Sequence, residues 1–451
     1  MRIDWIVAEI GSTTTLVNAF SKDKGLLGKG MEATTVEKDV NIGLNNALEV
    51  LKKYLKADTL TYDSMFASSS AAGGLRMTVS GLVYEMTVKA AKQAATNAGA
   101  NIHLISAGHL SDDDLDQIKA IHPNIILVSG GTDYGEKDVA FHNLLKIETL
   151  SLNVPIIYAG NIDNQYRIKN HFESSNQRQY LTIVDNVYPR VDQMNIQPVR
   201  KKIYETFEKH IIHAKGMKNI KNLVDGSIMP TPGSVMESTI VLEEMLGNVM
   251  TIDVGGATTD IHSITTPSEE FEDYQEGEPK EKRTVEGDLG VFVNFKKVIE
   301  SIGKQTLAKT LEISLDQLED LIMNYQYKPI TPLERKLVYE LTKHCVVIAL
   351  KRHVGDYRNV YTTSGQKVIP EGRDLTQLQA VVLTGGALIN LNDTEHIIKD
   401  YFKTHPNKML PKTIKVYKDH DYIMSSMGVL SLKHPDFAKK VLKKSLTIQT
   451  K

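Results

Sequence analysis

The sequence predicts an α/β protein, and three observations carry that prediction. Short runs that are apolar on both faces alternate with helical stretches, several of these runs end in small or acidic residues, and four recur about every 25 residues. The runs cover 5–10, 102–105, 125–128, 154–158, 181–184, 249–254 and 380–383. A strand that is apolar on both faces suits a parallel sheet covered on both sides. Small residues at strand ends, as at 129–131, 159–161, 253–256 and 384–386, let backbone approach a ligand at the carboxyl edge of such a sheet.

Taken along the chain, the first run leads directly into a glycine turn. The four runs near 102, 125, 154 and 181 have the βα rhythm of a self-contained parallel sheet, expected as an inserted subdomain over 98–190. Residues 267–286, rich in Glu, Lys, Asp, Pro and Gly, read as an exposed loop or hairpin. Thr331-Pro332-Leu333-Glu334 combines an N-cap Thr, Pro at the first helical position and Glu three residues after the cap. The helix it opens carries Leu333, Leu337, Leu341, Cys345, Ile348 and Ala349 on one face, which makes Cys345 a buried structural thiol.

Composition narrows the class. The 451 residues suit two or three domains. Lys+Arg at 53 against Asp+Glu at 55 leaves a net charge of −2, which argues against nucleic-acid binding through a strongly basic surface. One cysteine excludes an intrachain disulfide and a Cys-based zinc site, and suggests a cytoplasmic chain. No run approaches ~18 apolar residues, so no membrane span is expected. The start, Met1-Arg2-Ile3-Asp4, enters a strand-like run and does not read as a signal peptide.

Three Gly/Thr-rich turns carry the chemistry. The first is Glu9-Ile10-Gly11-Ser12-Thr13-Thr14-Thr15; the second is Asp253-Val254-Gly255-Gly256-Ala257-Thr258-Thr259-Asp260; the third is Leu383-Thr384-Gly385-Gly386-Ala387. The first two share one grammar: apolar strand, carboxylate, small residue, hydroxyl cluster, apolar strand. Such a strand–turn–strand gathers backbone N–H groups and hydroxyls around a phosphate, and the strand-end carboxylate can hold Mg²⁺ through water. One such turn is also an ordinary hairpin; two that match, about 244 positions apart, with a third glycine pair later, are more specific.

As a set these turns resemble the phosphate-1, phosphate-2 and adenosine motifs of the actin/Hsp70/sugar-kinase superfamily. The resemblance implies two duplicated ribonuclease H-like domains that close on ATP and Mg²⁺. Gly11, Ser12, Thr13 and Thr14 would then grip phosphate from one domain, and Gly255, Gly256, Thr258 and Thr259 from the other. Gly385 and Gly386 would flank adenosine, and Glu9 and Asp253 would hold Mg²⁺ and orient water. Ser425-Ser426-Met427-Gly428 resembles the second connecting motif of the hinge. The implied division is 1–97 for the first domain, 98–190 for the insert, 191–247 for a helical connection and 248–451 for the second domain, whose last helix returns to the hinge. The superfamily usually has Asp where this chain has Glu9. The extra methylene moves that carboxylate outward by about 1.5 Å, so Asp253 is the stronger candidate for positioning Mg²⁺ or water. A slow ATPase is expected, since phosphoryl transfer needs mostly positioning and charge stabilisation.

Further segments, Ala67-Ser68-Ser69-Ser70-Ala71-Ala72-Gly73-Gly74-Leu75-Arg76-Met77, Val128-Ser129-Gly130-Gly131-Thr132-Asp133-Tyr134-Gly135-Glu136 and Pro232-Gly233-Ser234-Val235-Met236-Glu237-Ser238, are similar to the MutL/GlmL family. That family is associated with adenosylcobalamin-dependent glutamate mutase and related aminomutases, and is unrelated to the DNA mismatch-repair protein of the same name. The resemblance implies a reactivation chaperone that frees damaged cobalamin from a mutase by nucleotide-driven domain motion. A small-molecule kinase of the same fold, an ATP-dependent scaffold or filament protein and a hydantoinase-like subunit are the competing readings.

Other features read as structural. Asp260-Ile261-His262-Ser263-Ile264-Thr265 begins like the corrinoid pattern Asp-x-His-x-x-Gly but ends in Thr, so His262 is not expected to ligate cobalamin. His210 and His213, at helical spacing, suit a solvated face better than a metal site, and the lysines at 439, 440, 443 and 444 suit a solvated terminal helix. The loop Gly130–Gly135 is open between an anion or partner site and a packed βα turn, with Gly160-Asn161-Ile162-Asp163 expected on the same sheet edge.

Overall fold

The computed structural model describes residues 2–35, 38–70, 75–191, 193–211, 216–274, 280–326, 328–362 and 365–448. They fall into two compact units. One holds residues up to Phe20 together with Gly28–Gly233; the other holds Ser21–Leu27, Ser234–Gln275 and the chain from Lys280 onward.

The first unit contains two sheets. In the first, β1 (Arg2–Ile10), β2 (Thr14–Ser21), β3 (Gly25–Ala33) and β4 (Thr61–Ser69) are joined by the short β10 (Met229–Pro230) in the order β10-β4-β1-β2-β3. β1 runs antiparallel to β2 and parallel to β4. The helix Val40–Tyr54 starts on Asp39, whose side chain accepts from the Asn41 N–H at 2.8 Å. It buries Val40, Leu44, Ala47 and Leu51, one face of the helix. Gly30 lets that helix lie directly on β3: a Cβ there would stand 2.0 Å from the Ala47 carbonyl oxygen.

The second sheet takes β5 (Leu75–Gly81), β6 (Ala100–Ala107), β7 (Ile125–Val128), β8 (Ile156–Tyr158) and β9 (Leu181–Ile183) in the order β6-β5-β7-β8-β9, all pairs parallel. Counted along the chain this is order 2-1-3-4-5, a doubly wound sheet whose direction reverses between β5 and β7. The four runs expected to be strands are strands, but β5 enters between the first two. The sheet therefore begins at Leu75, ahead of the boundary expected at residue 98, and 75–97 belongs to this layer. Arg76, Thr78 and Ser80 break the apolar pattern of β5, which hides it in the sequence; Thr78 and Ser80 are nonetheless buried. Ile126, Val128, Phe141, Leu144, Tyr158 and Phe172 form one core beneath the sheet.

In the second unit, β11 (Val249–Val254), β12 (Thr259–Ile264), β13 (Glu281–Glu286), β16 (Ala380–Thr384), β17 (Lys415–Asp419) and β18 (Leu446–Ile448) form a sheet of order β13-β12-β11-β16-β17-β18. A separate hairpin pairs β14 (Asp356–Thr362) with β15 (Gly365–Glu371). β11 is antiparallel to β12 and parallel to β16. The stretch β17-β16-β11-β12-β13 repeats β10-β4-β1-β2-β3, so the two units are duplicated ribonuclease H-like layers, as in the actin-like ATPase fold. The segment expected as an exposed loop or hairpin over 267–286 supplies β13, which pairs antiparallel with the preceding β12 as the second arm of a hairpin. Its charged residues suggested exposure, yet Arg283 and Glu286 are buried through ion pairs with Asp260 and Arg352.

The helix Pro332–His353 closes its first turn with a capping box: the Glu334 N–H donates to Thr331 Oγ1 at 3.2 Å, and Glu334 Oε2 accepts from the Thr331 N–H at 2.8 Å. Its Leu337, Leu341, Cys345 and Ala349 pack with Met250, Ile252 and Ile261 in one core. Cys345 is fully buried, and burial pushes its thiol up to about 12, so it is an inert core thiol. Among the described residues no helix is long and apolar enough to cross a membrane.

Candidate functional site

Each unit carries one of the predicted glycine hairpins, built the same way. In the first, the Gly11 N–H donates to the Thr14 carbonyl at 2.9 Å, and Glu9 stands opposite Leu16 across the ladder. In the second, the Gly255 N–H donates to the Thr258 carbonyl at 2.9 Å, and Asp253 stands opposite Asp260. Glu9 and Asp253 therefore hold the same register position in two equal hairpins. At Gly11 the turn requires glycine, because a Cβ would lie 2.7 Å from the Thr14 carbonyl oxygen. Ser12 is exposed at the tip. Thr13 and Thr14 are half-buried, and the Thr13 carbonyl accepts from the Thr34 N–H on the strand side at 2.8 Å.

The second hairpin is braced by a segment that sequence reasoning did not single out. After β13, the Phe292 and Val293 N–H groups donate to the Gly256 carbonyl at 2.9 and 2.7 Å, and Asn294 Nδ2 donates to the Ala257 carbonyl at 2.7 Å. Gly290 allows this approach: a Cβ there would come 2.2 Å from the Ala257 carbonyl carbon. The Gly256 and Ala257 carbonyls are thereby occupied, and the Gly255 N–H is spent within the turn. Gly287 and Gly290, three residues apart after a charged strand, were the available signal.

The two hydroxyls expected to grip phosphate here are already committed. Thr258 Oγ1 donates to Asp260 Oδ2 at 3.1 Å, and the fully buried Thr259 donates to the Leu289 carbonyl at 2.7 Å. Thr259 thus braces the hairpin from behind. Both hydroxyls thus serve the fold of this unit.

Beneath that turn lies a charged cluster. Arg283 donates to Asp260 Oδ1 through Nη2 at 2.6 Å and through Nε at 3.1 Å, and both side chains are buried. The nearby donors Thr258 and Arg283 thus face Asp260, leaving Asp253 with no share in their bonds. Burial, followed by the like charges of Asp260 and Asp419, pushes the Asp253 carboxyl up to about 7, against an opposing pull from Arg283.

The third motif arrives at the same carboxylate. Thr384 pairs with Asp253 across the parallel β11–β16 ladder. Gly385 follows at φ +87°, and a Cβ there would lie 2.4 Å from Asp253 Oδ1 and 2.5 Å from the Val254 carbonyl oxygen. Beside Gly386, the space a Cβ would occupy is open. The structure therefore unites Asp253, Gly255 and Gly385 at one point.

Asp419, which the sequence did not flag, anchors this corner. Fully buried at the end of β17, it accepts from the Ile423 and Met424 N–H groups (2.9 Å each), Ser445 Oγ (2.8 Å) and Thr384 Oγ1 (3.1 Å). Burial raises its carboxyl above the ordinary range despite those bonds. It fixes the start of the helix Met424–Ser431, which carries the Ser425–Gly428 motif. That helix crosses the Ser234–Ser238 stretch at close range. Ser234 Oγ and Ser425 Oγ lie 2.8 Å apart, Ser238 donates to the Met424 carbonyl, and Gly428 meets the Ser234 backbone where no Cβ fits.

The remaining predicted features separate. His262 is fully buried in β12, and burial holds its imidazole well below its usual range. The side chain of His210, all of His213, and Ala71–Gly74 lie outside the described residues. Lys440, Lys443 and Lys444 are exposed on the helix Pro435–Ser445, and Lys439 pairs with Glu244 at 3.1 Å. The Gly130–Gly135 loop is a packed turn, and its polar groups are bonded to the loops after β8 and β9.

Comparison with known proteins adds the following. A family model described as MutL protein matches residues 5–446. "Protein MutL" of Clostridium tetanomorphum is 33% identical over 463 residues, covering 98% of this chain and 99% of its own length. Among solved structures, nucleotide-free acetone carboxylase is similar at 11% identity, with 95% of this chain and 70% of that chain covered and a TM-score of 0.39. Ligand-bound xylulose kinase from Lactobacillus acidophilus is similar at 9% identity, with coverage of 100% and 93% and a TM-score of 0.36.

Proposed function

This chain belongs to the MutL protein family, and from that premise we propose that it is an ATP-dependent accessory protein that reactivates an adenosylcobalamin-dependent mutase of the glutamate mutase or aminomutase type. The observation that carries the nucleotide part is the duplication of one hairpin, carboxylate and glycine amide included, in two units of the same strand order. Duplicated turns that each offer amides suit a ligand with several phosphates.

The residues fit Mg·ATP on this structure's own terms. Gly11 and Gly255 spend their N–H groups inside the turns, so the N–H groups at the tips, at Ser12 and Thr13 and at Gly256 and Ala257, would be the ones to meet phosphate oxygens. Asp253 carries a carboxylate that stands apart from the hydrogen bonds Arg283 and Thr258 give to Asp260, which suits a water-bound Mg²⁺. Glu9 takes the equivalent place with a longer reach. Gly385 and Gly386 would lie against adenosine, with open space at Gly386. When bound, the cation supplies charge neutralisation at the phosphates and polarises a water.

Asp253, its carboxyl raised to about 7, can hold or release a proton near neutral pH, and Arg283 is bonded to Asp260 beside it. The Asp260–Thr258 bond fixes the turn. Preferential binding of ATP to one conformation would shift the protein toward it, and that shift would act on the mutase.

The test is to incubate the protein with ATP, fresh adenosylcobalamin and oxygen- or substrate-inactivated glutamate, ornithine and lysine mutases in turn. Recovery of one activity, dependent on hydrolysable ATP and lost in Asp253→Ala, is the expected result. ADP release that requires a sugar or carboxylic acid would instead support a kinase, and ATP-dependent pelleting would support a filament protein.

A further inference from the structure

The second sheet of the first unit takes no part in the hairpins, and its carboxyl edge is unusual in three respects. The first is exposure. Ten large hydrophobic side chains of this unit are exposed among the described residues, and six of them, Val83, Tyr84, Tyr134, Ile162, Tyr166 and Val191, follow β5, β7, β8 or β9 at that edge. Tyr134 and Tyr166 are 79% and 75% exposed. Exposed apolar side chains gathered on the loops of one sheet edge are the kind of surface that marks an interaction site.

The second is rigidity. Asn161 Oδ1 accepts from the Tyr134 N–H at 3.2 Å, and its Nδ2 donates to the Gly135 and Glu136 carbonyls at 3.1 Å each. Asn186 Nδ2 donates to Asp133 Oδ1 at 2.9 Å and to the Gly131 carbonyl at 3.0 Å. Three loops are thereby locked together, and at their tip Tyr134 is held at φ +64°, a left-handed conformation disfavoured for an aromatic residue. An aromatic ring held out on a strained but fully supported backbone is preorganised for contact, which lowers the ordering cost of association.

The third is charge. Residues 82–88, 108–114, 129–138, 159–167 and 184–191, which follow the five strands, hold nine acidic residues against three basic ones, in a chain that is nearly neutral overall. Two of the three cations, Lys137 and Arg167, are themselves paired with Asp163 and Asp138. Such an edge repels polyanions and anionic membranes and attracts a basic rim.

A small-ligand reading does not fit. At the point of strand reversal, Thr87 Oγ1 already takes the Leu82 and Val83 N–H groups at 2.9 and 3.2 Å, and Ser129 Oγ donates to the Ser80 carbonyl at 3.0 Å. The Leu82 and Val83 amides are therefore spent, and the turn after β5 offers neither to a bound anion.

We propose that this carboxyl edge is a docking surface for a folded protein whose contact face is apolar at its centre and basic at its rim, with Tyr134 as the central anchor. The partner's identity, the mutase, rests on the function proposed above; the surface does not.

The test is binding of each purified mutase to the full-length protein and to Tyr134→Gly. Glycine keeps the Asn161 bond and relieves the left-handed strain. The variant is expected to melt at the same or a higher temperature, retain ATP turnover, and bind the mutase at least tenfold more weakly. Association of the wild type should slow as salt rises. Equal binding by wild type and Tyr134→Gly, or a lowered melting temperature showing that Tyr134 supports the fold, overturns the proposal. Self-association lost in Tyr134→Gly with mutase binding unchanged also overturns it, in favour of a second copy. Failure of the wild type to bind any of the mutases instead overturns the functional reading and the partner it names.

Discussion

Replacing Asp253 by Asn should stabilise the nucleotide-free protein at alkaline pH. The carboxyl is raised from its ordinary value to about 7 by burial and by Asp260 and Asp419. A raised carboxyl pKa means that the native state holds its proton more tightly than the unfolded chain. The native protein therefore loses stability as pH climbs from about 4, where the unfolded carboxyl ionises, to about 7, where the folded one does. Above that window the penalty levels off. The rise from the ordinary value to about 7 corresponds to about 4 kcal/mol, on the order of the whole stability of a small domain. Asn is close to isosteric with the neutral acid and carries no such penalty. At pH 8 the variant should exceed wild type by up to about 4 kcal/mol, and at pH 4 by less than about 1 kcal/mol. The assay is urea unfolding at pH 4, 5, 6, 7 and 8 with chelator and without nucleotide, followed by hydrogen exchange of the β11–β12 amides. The single tryptophan, Trp5, lies buried in β1 of the other unit, so its fluorescence follows that unit while hydrogen exchange follows β11–β12. A variant no more stable than wild type at pH 8, or one that keeps the wild-type pH slope in β11–β12, would show that Asp253 is not a strained carboxylate.

Three other outcomes follow from the packing. Arg283→Leu leaves Asp260 buried without its cation and should cost about 3–5 kcal/mol, whereas Arg283→Leu with Asp260→Asn should recover part of that loss in the same unfolding assay. Gly385→Ala places a methyl group against Asp253 and forces a positive φ on alanine; it should destabilise the second unit by about 1–3 kcal/mol and weaken ATP binding measured by calorimetry. Leu341→Ala empties a fully buried site in the helix Pro332–His353 and should cost about 2–5 kcal/mol by thermal or urea unfolding, while Cys345 stays unreactive toward a thiol reagent until the protein unfolds.

Much of the fold was legible because its signals are local. An apolar run followed by a glycine turn fixes a strand end whatever surrounds it, and Thr331-Pro332-Leu333-Glu334 specifies a helix start through bonds within one turn. β5 was missed because its alternating Arg76, Thr78 and Ser80 look like loop residues, and only the folded layers bury Thr78 and Ser80 while Arg76 stays exposed. The burial of β13 was missed because charge reads as exposure, and only a partner from another strand makes a buried arginine tolerable. Asp419 and the Gly290–Asn294 brace lie far in sequence from the turns they hold.

By itself, then, the sequence determined the two hairpins, the register position shared by Glu9 and Asp253, and the glycine pair after β16, since each depends on a handful of consecutive residues. The tertiary structure decided which of those groups remain available. It commits Thr258 to Asp260 and Thr259 to Leu289, pairs Asp260 with Arg283, and presses Gly385 against Asp253. The reason is that hydrogen bonding and desolvation are settled by whichever neighbours the strand order supplies, and that order is a long-range property of the chain.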